Sequence, residues 1–221
     1  MGDARKIDSG PLMTSRSCLS IVLAAGLGTR MKSNLPKVMH EIGGLPLVGH
    51  VVKALKQAGS DRISVVTGPD MRELEKLVQN LAPEAHCHVQ HERLGTAHAA
   101  LAARSALASP SDDVLILFGD TPLVTADTIG KVRRALSDGA DLAVLGFETQ
   151  QPFGYGRLLT DNGQLVAIRE EKDASDAERR ITFCNSGIMG FSGQHALSLL
   201  DAIGNANAKN EFYLTDAVEI A

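Results

Sequence analysis

Short unbroken apolar runs alternate along the first two thirds of the chain with stretches whose apolar positions recur every three or four residues. The first run is Cys18-Leu19-Ser20-Ile21-Val22-Leu23-Ala24-Ala25, and it stops at Gly26. Comparable runs at 62–67, 86–90, 113–118 and 142–147 predict further strands. Between them, 47–57 is apolar at 47, 48, 51, 52 and 55, and 71–81 at 71, 74, 77, 78 and 81. An alanine-rich stretch at 96–107 and the segment 127–136 keep the same helical period. Strands that are apolar throughout, rather than at every second residue, are expected where helices cover both faces. The alternation therefore predicts an α/β fold with a doubly wound, mostly parallel sheet and helices on both faces.

After Glu148 the texture changes. Residues 151–157 read as a loop, 165–169 and 182–191 as strands flanking a charged stretch at 170–180, and 211–220 as a helix start. This half is expected to form a smaller, substrate-covering lobe. No tandem repeat is present, which excludes solenoids.

Composition narrows the class. The 221 residues are 44% hydrophobic and 22% charged, enough for one domain with its own core. A net charge of -4 argues against a general nucleic-acid binder, while leaving room for a local cationic pocket. Cys18, Cys87 and Cys184 are too few and too scattered for a disulfide framework or a zinc pair, so a reducing, cytoplasmic setting is expected. No apolar run reaches the length of a membrane span, so no membrane partner is expected. His86, His88 and His91, with Cys87 among them, do not make a complete zinc set at suitable spacing and read as a polar surface strand. Residues 1–17 are polar, carry a second methionine at Met13, and are expected to be a disordered leader ahead of a domain at 18–221.

The sharpest local signal is Leu23-Ala24-Ala25-Gly26-Leu27-Gly28-Thr29-Arg30-Met31, directly after the first strand. Small residues let a backbone approach a ligand, and successive N–H groups in such a turn form an anion-binding nest. Arg30 and Lys37 can add positive charge. A dinucleotide fingerprint would need glycine where Met31 stands and a helix where Pro36 stands. A P-loop is absent. An ordinary two-glycine turn remains the bland alternative, disfavoured by the full string through Leu35-Pro36-Lys37. Asp120 follows the apolar run 113–118, which puts a carboxylate at the carboxyl end of a strand, where open α/β sheets bind ligands. Magnesium takes one or two carboxylates plus substrate phosphates, so Asp120 is a candidate metal ligand; a mere turn before Pro122 is the alternative.

Several ordered motifs carry a resemblance. The glycine string followed by Leu35-Pro36-Lys37 resembles the signature of sugar-phosphate nucleotidylyltransferases. The closer resemblance is to the uridylyltransferase domain of the bifunctional bacterial enzymes that make UDP-N-acetylglucosamine. It also rests on the strings that begin at His91 (HERLGTAHA), Phe118 (FGDTPL), Gly154 (GYGR), Glu171 (EKDA), Asn185 (NSGI) and Glu211 (EFYLTD). It runs from about Cys18 to Ala221 and implies a Rossmann-like nucleotide-diphospho-sugar transferase fold.

The resemblance implies residue roles. Leu23, Ala24, Ala25, Gly26, Lys37, Phe118, Gly119 and Asp120 bind substrate; Gln90, Gly95 and Thr96 hold uracil. Gly156, Glu170 and Asn185 contact N-acetylglucosamine, with Tyr155, Tyr213 and Thr215 on the same wall. Asp120 holds Mg2+, and Arg30, Lys37 and Asp120 are catalytic. The substrates are UTP and N-acetylglucosamine 1-phosphate, joined by one in-line displacement that releases pyrophosphate. Two positions depart from relatives: Arg93, where some carry Gln, and Phe118, where many carry Tyr. In the family a second metal ligand, an asparagine, lies beyond Ala221, so the domain is expected to be truncated at its carboxyl end. The acetyltransferase half, with its hexapeptide repeats and the trimerisation that depends on it, is expected to be absent from this chain. A molybdopterin guanylyltransferase, a cytidylyltransferase and a non-catalytic nucleotide-binding domain are the alternatives.

Overall fold

The computed structural model describes residues 16–221 except 27, 29, 30, 32 and 34. At its centre lies β1 (Cys18–Leu23), all six residues of which are buried. It pairs in parallel with β4 (Arg62–Thr67) on one side and β6 (Asp113–Phe118) on the other, and β5 (His86–Val89) adds in parallel outside β4. Side chains of β1 alternate between two cores. Cys18 and Val22 pack with α1 (Leu47–Gln57), α2 (Arg72–Leu81) and α5 (Ala126–Ser137). Leu19, Ile21 and Leu23 pack on the opposite face with α3 (Thr96–Ala102), α4 (Arg104–Leu107), α6 (Ala196–Ala202) and α7 (Ala217–Ile220). Burying both faces explains the unbroken apolar runs, since each buried Leu, Ile or Val contributes roughly 1.5–3 kcal/mol.

The sheet does not stay parallel. β10 (Phe183–Ser192) runs antiparallel beside β6 and extends the sheet to β8 (Arg157–Asp161) and β9 (Gln164–Arg169). β7 (Leu142–Glu148), read from sequence as one more strand of the alternation, pairs antiparallel with β10 instead. The expected covering lobe is thus a continuation of one eight-stranded sheet. A bulge in β10 between Asn185 and Met189 lets one long strand serve both halves.

Other expectations shift. β8 begins at Arg157, inside the segment read as a loop, and turns into β9 through Asn162-Gly163, whose φ values of 49 and 81 are those of a tight hairpin. The alanine-rich helix breaks at Ala103 into α3 and α4. The helix expected over 211–220 forms only as a 3-10 turn, Leu214–Asp216, and then α7. The leader expected at 1–17 is corrected at its end: Arg16 Nη2 lies 2.6 Å from Asp113 Oδ1, and Ser17 N donates to Asp112 Oδ2 at 2.7 Å. The completely buried Asp113 carboxylate requires that charge partner, together with Arg133 at 3.0 Å. Residues 1–15 lie outside the described residues. Among the described residues no helix is long and apolar enough to cross a membrane.

Candidate functional site

The glycine turn leaves the carboxyl end of β1 between two neighbours that hold it. Ala24 N donates to Val66 O at 2.8 Å, and Gly119 N donates to Leu23 O at 2.9 Å. The turn then folds back on Lys37. A Cβ on Gly28, whose φ is +61, would come 2.6 Å from Lys37 Cβ, so only glycine permits this approach. Lys37 opens the 3-10 turn Lys37–Met39 behind Pro36, anchored by buried Val38. Its ammonium Nζ reaches Asp120 Oδ2 at 2.5 Å. Asp120 follows β6 in a turn fixed by Thr121 Oγ1, which donates to Phe118 O at 2.8 Å.

Gln90 lies two strands away on the same rim. Its N–H donates to Thr67 O at 2.8 Å, and its side chain is folded inward, leaving the residue 4% exposed. Gln90 Nε2 donates to Gly95 O at 3.3 Å and lies 3.1 Å from His98 Nδ1. Gly95 is the N-cap of α3 with φ 120, and a Cβ there would sit 2.4 Å from Phe212 O. Thr96 does not cap α3 with its side chain; its hydroxyl accepts from Leu214 N at 2.8 Å.

Two cavities join along this rim. The first, about 340 Å3, is lined by Leu23, Ala25, Gly26, Lys37, Gln90, Gly95 and Asp120, with Arg93 on its wall. The second, about 250 Å3, is lined by Gly156, Glu170, Asn185, Tyr155, Tyr213 and Thr215. Thr96, Phe118 and Glu211 line both. The candidate residues from distant parts of the sequence therefore converge on one bipartite groove. Ala24 and Gly119 line neither cavity and act through the backbone bonds above. Arg30 lies outside the described residues.

The second cavity is the more acidic. Glu170 Oε1 accepts from Thr215 Oγ1 at 3.1 Å, and burial pushes its carboxyl above the usual range, opposed by that hydrogen bond. Burial, reinforced by Asp173, pushes the Tyr213 phenol up to about 12, and its hydroxyl has no hydrogen-bond partner among the described residues. Asp216 behind this wall is pushed up to about 6, first by burial and then by Glu219. The loop carrying Tyr155 and Gly156 is braced by Arg157, 1% exposed, which pairs with Glu171 at 2.7 Å and donates to Tyr155 O. Phe118 packs on Gly187, where φ is +85 and a Cβ would come 2.4 Å from the ring.

Sequence reasoning did not assign Glu211, although the string it begins was noticed; nothing local shows that it faces both cavities. No group of three or more His, Cys, Asp or Glu side chains is placed to hold a metal among the described residues. The half-buried carboxylate of Asp120 at the cavity wall still suits a hard cation that takes its remaining oxygens from phosphate and water. β5 is an edge strand, with His86 exposed and His88 Nε2 3.2 Å from Ser64 Oγ.

Residues 20–182 match the family model described as the MobA-like NTP transferase domain. The chain is 56% identical over 209 residues to "Bifunctional protein GlmU" of Azorhizobium caulinodans, covering 95% of this chain and 47% of that protein. It is 57% identical over 209 residues to the protein of the same name from a Bradyrhizobium species, with the same coverage. The chain thus spans about half the length of these curated relatives. A solved UDP-glucose pyrophosphorylase complexed with UDP-glucose superposes with a TM-score of 0.73 at 18% identity, covering 92% of this chain and 86% of that one. The structure of a "Putative Glucose-1-Phosphate Thymidylyltransferase" from Bacillus anthracis gives 0.75 at 19%, covering 91% and 81%. At that identity the likeness speaks for the fold alone. By the family model, which spans most of its length, this chain belongs to the MobA-like NTP transferase domain family.

Proposed function

We propose that the chain transfers uridylyl from UTP to N-acetylglucosamine 1-phosphate, giving UDP-N-acetylglucosamine and pyrophosphate. The observation that carries this reading is the continuity of the two cavities across Thr96, Phe118 and Glu211. One has a cation–carboxylate pair and a glycine turn suited to a triphosphate; the other has hydroxyl-binding groups suited to a sugar. The relatives named above supply the second support.

A phosphate oxygen of the sugar phosphate attacks the α-phosphorus of UTP in line with the departing pyrophosphate. A phosphate dianion is already a nucleophile, so the chain needs only to position the reactants and balance charge. The glycine turn offers backbone amides to the phosphates, and Lys37, with Arg30, offsets charge on the leaving group. Gln90, Gly95 and Thr96 orient the base. Gly156 lets the backbone come close to the sugar, while Glu170 and Asn185 hydrogen-bond its hydroxyls. Asp120 would hold a divalent cation, which we take to be magnesium, and the bound ion would supply additional charge neutralisation at the phosphates. Residues 18–221 are read as the catalytic domain, and trimerisation is assigned to chain outside it. The setting is read as cytoplasmic.

Pyrophosphate release from UTP, N-acetylglucosamine 1-phosphate and magnesium is the test. Release with another nucleoside triphosphate but not with UTP would overturn the base assignment. Nucleotide binding with no release under any pairing would overturn transfer.

A further inference from the structure

Arg93 is the one cationic side chain on the wall of the first cavity at its Gln90 end, among the described residues. Strand order places it there. Along the rim the strands run β5-β4-β1-β6, with Gln90 following β5 and Asp120 following β6. The Lys37–Asp120 pair therefore marks the phosphate end, and Gln90 with Arg93 marks the other. Arg93 Nε donates to Ala25 O at 3.0 Å, which pulls the guanidinium across the mouth of β1. One Nη lies where a Cβ on residue 68 would come within 2.9 Å, so Gly68 leaves the room it occupies. The planar guanidinium is thus held in orientation, and its donors beyond Nε have no partner among the described residues.

Gln90 is held just as firmly. Gly95 O can only accept, so the amide nitrogen must face it, and Gln90 Oε1 points the other way as an acceptor. Gln90 offers an acceptor and Arg93 offers donors within one cavity, a set that complements an imide edge, an N–H next to a carbonyl. Uracil presents that edge. Cytosine presents an unprotonated ring nitrogen and an amino group, which would set acceptor against acceptor and donor against donor.

We propose that Arg93 is a specificity-determining residue that, with Gln90, selects an imide-edged pyrimidine over cytosine in the nucleotide cavity. This rests on the uridylyl reading above. A site built around such paired polar groups rejects the mismatched base because its own groups would be left unpaired.

The test is equilibrium binding of UTP and of CTP, each with magnesium, to the full chain and to Arg93→Gln. The wild type is expected to prefer UTP, and Arg93→Gln to lose about tenfold or more of that preference, the scale of one charged hydrogen bond. Arg93 also anchors the glycine turn, but a loosened turn weakens both nucleotides alike, so the ratio isolates base selection. Should Arg93→Gln not fold, Arg93→Lys keeps the charge without the fork and is expected to lower the ratio about threefold or more. An unchanged ratio in the variant that is read overturns the role of Arg93 and leaves the uridylyl reading standing. A wild type that binds the two nucleotides equally overturns both.

Discussion

Lys37 Nζ lies 2.5 Å from Asp120 Oδ2 across 83 residues of sequence, yet both side chains keep solvent access, at 41% and 28%. So exposed a pair contributes only about 0–1 kcal/mol to stability. On the function proposed above, the contact would matter through what each partner does once a triphosphate arrives: the lysine would turn to phosphate oxygens and leave the carboxylate to a cation. Asp120→Asn and Lys37→Met are expected to lower turnover on the order of 10²–10³-fold while shifting unfolding free energy by less than about 1 kcal/mol. Pyrophosphate release and urea denaturation, measured on the same preparations, separate the two effects. Arg30→Ala is expected to match them in turnover.

The raised Asp216 carboxyl predicts a pH dependence of stability. Burial moves it from 3.8 to about 6, so over that window the folded chain holds a proton that the unfolded chain releases. Stability from this group is therefore fully present below about 4 and declines as pH rises through about 6. Asp216→Asn is expected to stabilise the fold at pH 7.5 by about 1 kcal/mol, the displacement being discounted for partial solvent access. The gain should vanish in denaturation curves taken near pH 4. Equal gains at both pH values would rule out the protonation account.

Gly95→Ala tests the closest backbone approach in the site. The added Cβ would meet Phe212 O at 2.4 Å and Phe212 N at 2.6 Å, and neither is a side-chain tip that can swing away. The positive φ of 120 adds strain for any L-residue with a Cβ. A loss of roughly 2 kcal/mol in stability is expected, with KM for the nucleotide rising more than kcat falls. Thermal melting and initial-rate kinetics check the two parts.

Arg157→Met tests the brace under the sugar wall. Removing a guanidinium that is 1% exposed leaves the Tyr155 carbonyl without that donor and Glu171 with only Gly154 N and Arg179. The expected cost is about 1–2 kcal/mol in stability, because Glu171 keeps those partners and some contact with solvent. KM for the sugar phosphate should rise at least several-fold, with nucleotide affinity little changed. A uniform fall in affinity for both substrates would mean the loop does not act locally.

The parallel half was legible because its chemistry is local. Runs such as Ile21-Val22-Leu23 and Val114-Leu115-Ile116 must be covered on both faces, and the period of 47–57 states which side of α1 does the covering. Asp120 followed from the strand end it occupies, since strand ends in a parallel sheet share one rim, whereas Gln90 and Gly95 were read from the family resemblance and Lys37 from the string after the glycine turn. The antiparallel half was harder to read. Strand β7 is as apolar as β6, and nothing in its residues announces that it pairs with β10. The β8–β9 hairpin did carry a signal in Asn162-Gly163, which the charged surroundings obscured. Contacts such as Thr96 with Leu214, or Phe118 with Gly187, exist only once distant segments meet. No pattern within either segment encodes them.

Leu94 O accepts from Phe212 N at 2.7 Å, Phe212 O accepts from Ala97 N at 2.9 Å, and Leu214 N reaches the Thr96 hydroxyl. A chain made from its amino end therefore cannot finish its binding groove early. The parallel strands and their helices can emerge from the ribosome and pack while the wall beside Thr96 is still missing. On the function proposed above, competence to hold nucleotide would arrive only after residue 214 has left the exit tunnel, when the last segment closes both the groove and the core beneath it.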